Sequence, residues 1–100
     1  MDSKVYLIVH GNVQGVGYRH FVSRIAKRLG INGLVRNEED GSVSIVASGT
    51  EPQVAQFVEE INVDYLEGPS VANIERYDPS SDRFPDSERS KEFSEFAIVD

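Results

Sequence analysis

Val5, Leu7 and Val9 alternate with Tyr6, Ile8 and His10 near the start of the chain, apolar on nearly both faces, which predicts a central strand. From Tyr18 the period lengthens. Phe21, Val22, Ile25, Ala26 and Leu29 recur at helical spacing, His20, Ser23, Arg24, Lys27 and Arg28 take the other face, and Gly30 suits a C-terminal cap. The run "GLVRN", then "EEDG", then "SVSIVAS" predicts two strands joined at Asp40-Gly41, with Val43, Ile45 and Ala47 on one face. In "GTEPQVAQFVEEI", Thr50 and Gln53 stand at capping-box spacing, Pro52 falls in the first turn, and Val54, Phe57, Val58 and Ile61 form one stripe, so a second helix follows. "VANIERY" and "FSEFAIV" predict further strands, the latter marked by the alternation of Phe96 and Ile98. Between them "DPSSDRFPDSERSKE" is polar, charged and carries Pro79 and Pro85, which predicts a long, mobile, acidic loop over 78–92. The element order is a split βαββαβ unit with a C-terminal addition. It implies an α+β fold, a ferredoxin-like α/β sandwich with an antiparallel sheet and two helices on one face.

Composition narrows this picture. One hundred residues make one domain, 1–100, so any site is built on a single core. The absence of cysteine removes thiol chemistry and cysteine-based zinc sites, and two isolated histidines make a poor metal site, so no metal and no cofactor are expected. Only Val5 to Val9 are consecutively apolar near the N-terminus, too few for a secretory or membrane-spanning segment; a cytoplasmic protein without membrane association is expected, and a monomer. The net charge of −7 is unevenly spread. Residues 3–37 hold no acidic side chain but six basic ones, Lys4, Arg19, Arg24, Lys27, Arg28 and Arg36, whereas 16 acids and four bases follow from Glu38 onward. A solvated helix face accounts for Arg24, Lys27 and Arg28. An anion site accounts better for the missing acids.

The candidate chemistry lies in "GNVQGVGYRHF", Gly11 to Phe21, between the first strand and the first helix. Glycines there let successive backbone N–H groups turn into one concavity, with the helix N-terminus adding partial positive charge. Arg19 stands where loop becomes helix, and its guanidinium offers a planar fork to two oxygens of a phosphate or carboxylate. The bland alternative is that Gly11, Gly15 and Gly17 only shape a tight connection and Arg19 is a surface charge. A dinucleotide fingerprint fails because His20 stands where a third glycine is required, and a P-loop fails because no Gly-Lys-Ser/Thr follows. Nucleic-acid recognition is not expected, since "GVGYRHFV" runs into a helix in an acidic protein rather than along an aromatic strand.

"GNVQGVGYR", then "LGINGLVRNEEDGSV", then a terminal "FAIV" strongly resemble the acylphosphatase family, in the same order and spacing over nearly the whole chain. The resemblance implies a ferredoxin-like sandwich and metal-independent hydrolysis of small-molecule acyl phosphates. It also implies residue roles: Arg19 binds the phosphate, Gln14, Gly15, Val16, Gly17 and Tyr18 supply the backbone cradle, and Asn37 orients the attacking water. Asn12 stands where a basic residue is common in the family and Leu34 where an aromatic one is common. A non-catalytic phosphate- or carboxylate-binding module, or a regulatory one, on the same fold is the alternative.

The chemistry is consistent with so small a set of residues. An acyl phosphate releases a carboxylate, the conjugate base of an acid with pKa near ~4 to 5, so no general acid is required. What is left is to hold the phosphoryl group and place a water in line. Asn37 can accept and donate hydrogen bonds but is no base near neutral pH, so water activation is expected to fall to the substrate's own phosphate oxygens, with His10 and His20 as the other candidates. His10, at a strand end, and His20, on the polar face of a helix, are expected to be structural and solvated respectively.

Overall fold

Alternating apolar positions on three strands bury one face of a sheet against two amphipathic helices in the computed structural model, which describes residues 2–99. The elements are β1 (Asp2–Asn12), α1 (Tyr18–Leu29), β2 (Asn32–Asn37), β3 (Val43–Thr50), α2 (Glu51–Ile61), β4 (Ser70–Tyr77), a short α3 (Asp86–Arg89) and β5 (Phe96–Val99). Their order in the sheet is β4-β1-β3-β2-β5. The four strands of the split unit pair antiparallel throughout. The added β5 pairs with β2 in parallel, Val35 opposite Ile98 and Arg36 opposite Val99, so the complete sheet is mixed.

Register carries the alternation across the sheet: Val5 pairs with Ala47, Leu7 with Ile45 and Val9 with Val43, and all six point to the helices. Val22, Ile25 and Ala26 of α1 and Val54, Phe57 and Ile61 of α2 close this core. The two helices end as their sequences foretell. Gly30 caps α1 with Ile31 N–H donating to Ala26 O at 2.8 Å, and α2 starts on a reciprocal box in which Thr50 N–H donates to Gln53 Oε1 at 2.8 Å and Gln53 N–H to Thr50 Oγ1 at 3.3 Å. Gly33 is required by close packing: at φ 144° a Cβ there would lie 1.8 Å from Val46 O on the neighbouring strand.

The opposite face of the sheet is not left to solvent. Residues 78–92, expected as a long mobile loop, carry α3 and insert Phe84, 1% exposed, against Leu34 and Val46. Lys4 Nζ ties this flap to β1 by donating to the carbonyls of Lys91 (2.6 Å), Glu88 (3.2 Å) and Arg89 (3.3 Å). Arg89 in turn binds the carbonyls of Ser81 at 3.2 Å and Phe84 at 2.8 Å. Leu34 thus packs beneath the flap, on the face away from the helices.

Candidate active site

β1 and β2 both run antiparallel to β3, and β5 runs parallel to β2. The C-terminal ends of β1, β2 and β5 therefore lie at one end of the molecule, together with the start of α1. The last turn of α2 lies there too, since Tyr18 Oη donates to Ile61 O at 2.8 Å. Tyr18 is 1% exposed, and burial pushes its phenol well above the ordinary value, so it acts as an apolar wedge with one satisfied hydroxyl.

The connection from Val13 to Gly17 turns on two glycines in the left-handed region, Gly15 at φ 74° and Gly17 at φ 77°, the latter serving as N-cap of α1. A Cβ at either would meet nothing within 4 Å, so conformation, not crowding, selects glycine here. Among the described residues, the backbone N–H groups of Gln14 to Tyr18 donate to no backbone carbonyl, and the first turn of α1 holds no acidic side chain. Unpaired donors at a helix start make a ready anion cradle.

Asn37 is brought beside this loop by two independent links. Gln14 Nε2 donates to Glu38 O at 2.7 Å and to Ser42 O at 2.8 Å, which straps the loop to the β2–β3 turn immediately after Asn37. Arg19 Nη1 donates to Val99 O at 3.4 Å, and Val99 is paired with Arg36, the neighbour of Asn37 in β2. Alternation along β2 puts Asn37 on the same side as core residue Val35, the side that faces the helices. Asn37 Oδ1 is buried and has no hydrogen-bond partner among the described residues. A buried acceptor without a partner is costly and invites a donor from bound water or ligand.

The remaining candidates fall elsewhere. His10 points to the face away from the helices, where its Nε2 meets Glu75 Oε2 at 2.5 Å, and His20 is exposed on α1. No group of three or more His, Cys, Asp or Glu side chains among the described residues is arranged to hold a metal ion. A cavity of about 910 Å³, lined by Lys4, Gly30, Gly49, Gln53 and Phe93 among others, opens at the opposite end, where α1 stops and α2 starts. The glycine loop lies at the sheet's other end. Two partners were not readable from residue patterns: the Gln14 side chain as a strap and Val99 as an acceptor for Arg19. Both depend on which strands become neighbours, for which the sequence holds no local signal.

Three comparisons bear on this geometry. The family model described as Acylphosphatase matches residues 5–98. The chain is 38% identical over 95 residues to an acylphosphatase of Pasteurella multocida, covering 95% of this chain and 96% of that protein, and 51% identical over 67 residues to one of Actinobacillus succinogenes, covering 66% and 69%. Its fold superposes on the crystal structure of acylphosphatase from Bacillus subtilis with a TM-score of 0.79 at 34% identity, covering all of both chains.

Proposed function

The chain belongs to the acylphosphatase family and is an enzyme hydrolysing acyl phosphates, and from that premise we propose that Arg19 and Asn37 are its catalytic pair. The observation that carries the proposal is the buried Oδ1 of Asn37 beside the glycine loop, without a hydrogen-bond partner among the described residues. In this reading the N–H groups of Gln14, Gly15, Val16, Gly17 and Tyr18 and the fork of Arg19 hold the equatorial phosphoryl oxygens, and their charge complementarity grows as the transition state spreads negative charge over them. Asn37 Oδ1 accepts a hydrogen bond from the attacking water and holds it behind phosphorus. The water oxygen bonds to phosphorus as the bond from phosphorus to the acyl oxygen breaks. The bond pair leaves with the carboxylate, and the water's proton goes to a phosphate oxygen. No general acid is called on, because the leaving carboxylate is weakly basic, with a conjugate-acid pKa of ~4 to 5.

The same reading gives a single domain over 1–100, acting as a monomer in the cytoplasm. The acidic, cysteine-free composition supports it. No helix among the described residues is long and apolar enough to cross a membrane.

Two substitutions test the pair. Arg19→Lys keeps the charge but loses the fork, and kcat/KM is expected to fall by at least ~10²-fold, equivalent to about 3 kcal/mol. Asn37→Ala removes a neutral amide, so phosphate affinity by calorimetry should stay close to that of the parent while single-turnover rates fall by ~10² or more. Parallel loss of affinity and rate would move Asn37 into the phosphate cradle, and loss of neither would leave it no catalytic part.

A further inference from the structure

We propose that Tyr65 and Leu66, at the tip of the connection between α2 and β4, form an apolar wall for the acyl half of the substrate and so favour apolar acyl phosphates. The inference rests on the placement of phosphate at the Gln14 to Arg19 loop and of water at Asn37. In-line displacement puts nucleophile and leaving group on opposite sides of phosphorus. In the sheet order β4-β1-β3-β2-β5, Asn37 ends β2, two strands from β1 on one side, whereas β4 borders β1 on the other. A water delivered from the β2 side sends the acyl group toward β4.

The α2–β4 connection stands on that side and is held in place. Asp64 bridges to Ser70, Tyr65 N–H donates to Pro69 O at 3.0 Å, and Asn12 Nδ2, at the end of β1, donates to Gly68 O at 3.4 Å. The Tyr65 and Phe21 rings meet in a T-shaped arrangement, 6.0 Å between centres and 88° between planes, and Phe21 lies in the first turn of α1, two residues beyond Arg19. Tyr65 is 50% and Leu66 102% exposed, and among the described residues these are the large hydrophobic side chains left in solvent. An apolar pair on a connection tied to the end of β1 and to the first turn of α1, on the side from which the leaving group must depart, fits an apolar acyl group.

Leu66→Ser tests this without disturbing packing, since the side chain is fully exposed. Kinetics are compared for benzoyl phosphate and acetyl phosphate, each divided by the parent's value so that intrinsic reactivity cancels. The expected result is that kcat/KM for benzoyl phosphate falls ~5-fold more than that for acetyl phosphate, a modest value because an open wall discriminates less than a closed pocket. Inhibition by inorganic phosphate, which has no acyl half, should move less than ~2-fold by the same argument. Tyr65→Ser should shift the substrate ratio in the same direction. Equal loss on both substrates, or loss on neither, overturns the proposal, and the second result is also what a docking role for Leu66 would give. Asn37→Ala, run alongside, separates this from the reading of Asn37: failure there spares turnover of both substrates alike, whereas failure here leaves their ratio unmoved in the Leu66 and Tyr65 variants.

Discussion

Gln14 makes the difference between a glycine loop near a strand end and one held in register with it. Its amide nitrogen donates to both Glu38 O and Ser42 O, the two carbonyls that also flank the turn closed by Glu38 N–H to Ser42 O at 2.9 Å. Gln14→Glu preserves shape but replaces the donor with a charged oxygen facing two carbonyl oxygens. The variant is expected to lose about 1–3 kcal/mol of unfolding free energy, because the strap is lost and the carbonyls are left facing an acceptor. Its kcat/KM should drop ~10-fold or more, since displacement of about 1 Å between cradle and water is costly to an in-line reaction. Denaturant titration with steady-state kinetics reads both, and full activity in a destabilised variant would show that the strap serves the fold alone. The buried Asn37 Oδ1, unpaired among the described residues, belongs to this scale too: one such atom separates a positioned amide from a solvated one.

β1 and β4 are joined on the sheet's outer face by side chains as well as by their ladder. Glu75 of β4 accepts from the Tyr77 hydroxyl, meets His10 Nε2 of β1 at 2.5 Å, and lies 3.7 Å from Arg83 Nη2 of the flap. Hydrogen bonds from Tyr77 and then from His10 hold its carboxyl below the ordinary value of 4.5. A carboxyl whose pKa is lower in the folded state contributes stability that is fully present above the ordinary value and is lost as pH falls through the folded one. Glu75→Gln should therefore lower Tm at neutral pH and flatten its decline between about pH 5 and pH 3. Thermal melts of parent and variant across that range decide it; parallel curves would mean the carboxylate is not linked to folding. None of this cluster faces the helices, which agrees with a structural His10.

At the scale of the whole molecule the sheet has two cores of unequal size. The larger lies between sheet and helices, the smaller under the flap, where Phe84 packs on Leu34 and Val46 with Tyr6 at 6.0 Å between ring centres. Phe84→Ala is expected to cost about 3 kcal/mol, the lower end for a buried aromatic, because the flap can partly collapse onto the gap. The flap runs directly into β5, whose Val99 O accepts from Arg19, so loosening it should also reduce activity. Faster tryptic cleavage after Arg83 and Arg89, together with a lower Tm, is the expected outcome. A variant that resists trypsin as the parent does would show that the segment does not depend on its aromatic anchor.

Period and punctuation are local, and so the sequence by itself determined the elements. The alternation of Val5, Leu7 and Val9, the helical spacing of Phe21 to Leu29, the Thr50–Gln53 box and the turn at Asp40-Gly41 each depend on residues a few positions apart. The glycine loop and Arg19 were legible for the same reason, whereas a role for Asn37 came through family resemblance, since a lone asparagine at a strand end carries no pattern. Tertiary structure alone decided the parallel partner of β5, the reach of Lys4 across 84 or more residues to the flap, and the burial of Phe84 in a stretch whose polar composition reads as loop. It also decided that Gln14 and Asn37 stand together. Each of these joins positions far apart in the chain, and such contacts are selected by the free energy of the assembled sheet and core, which no window of neighbouring residues contains.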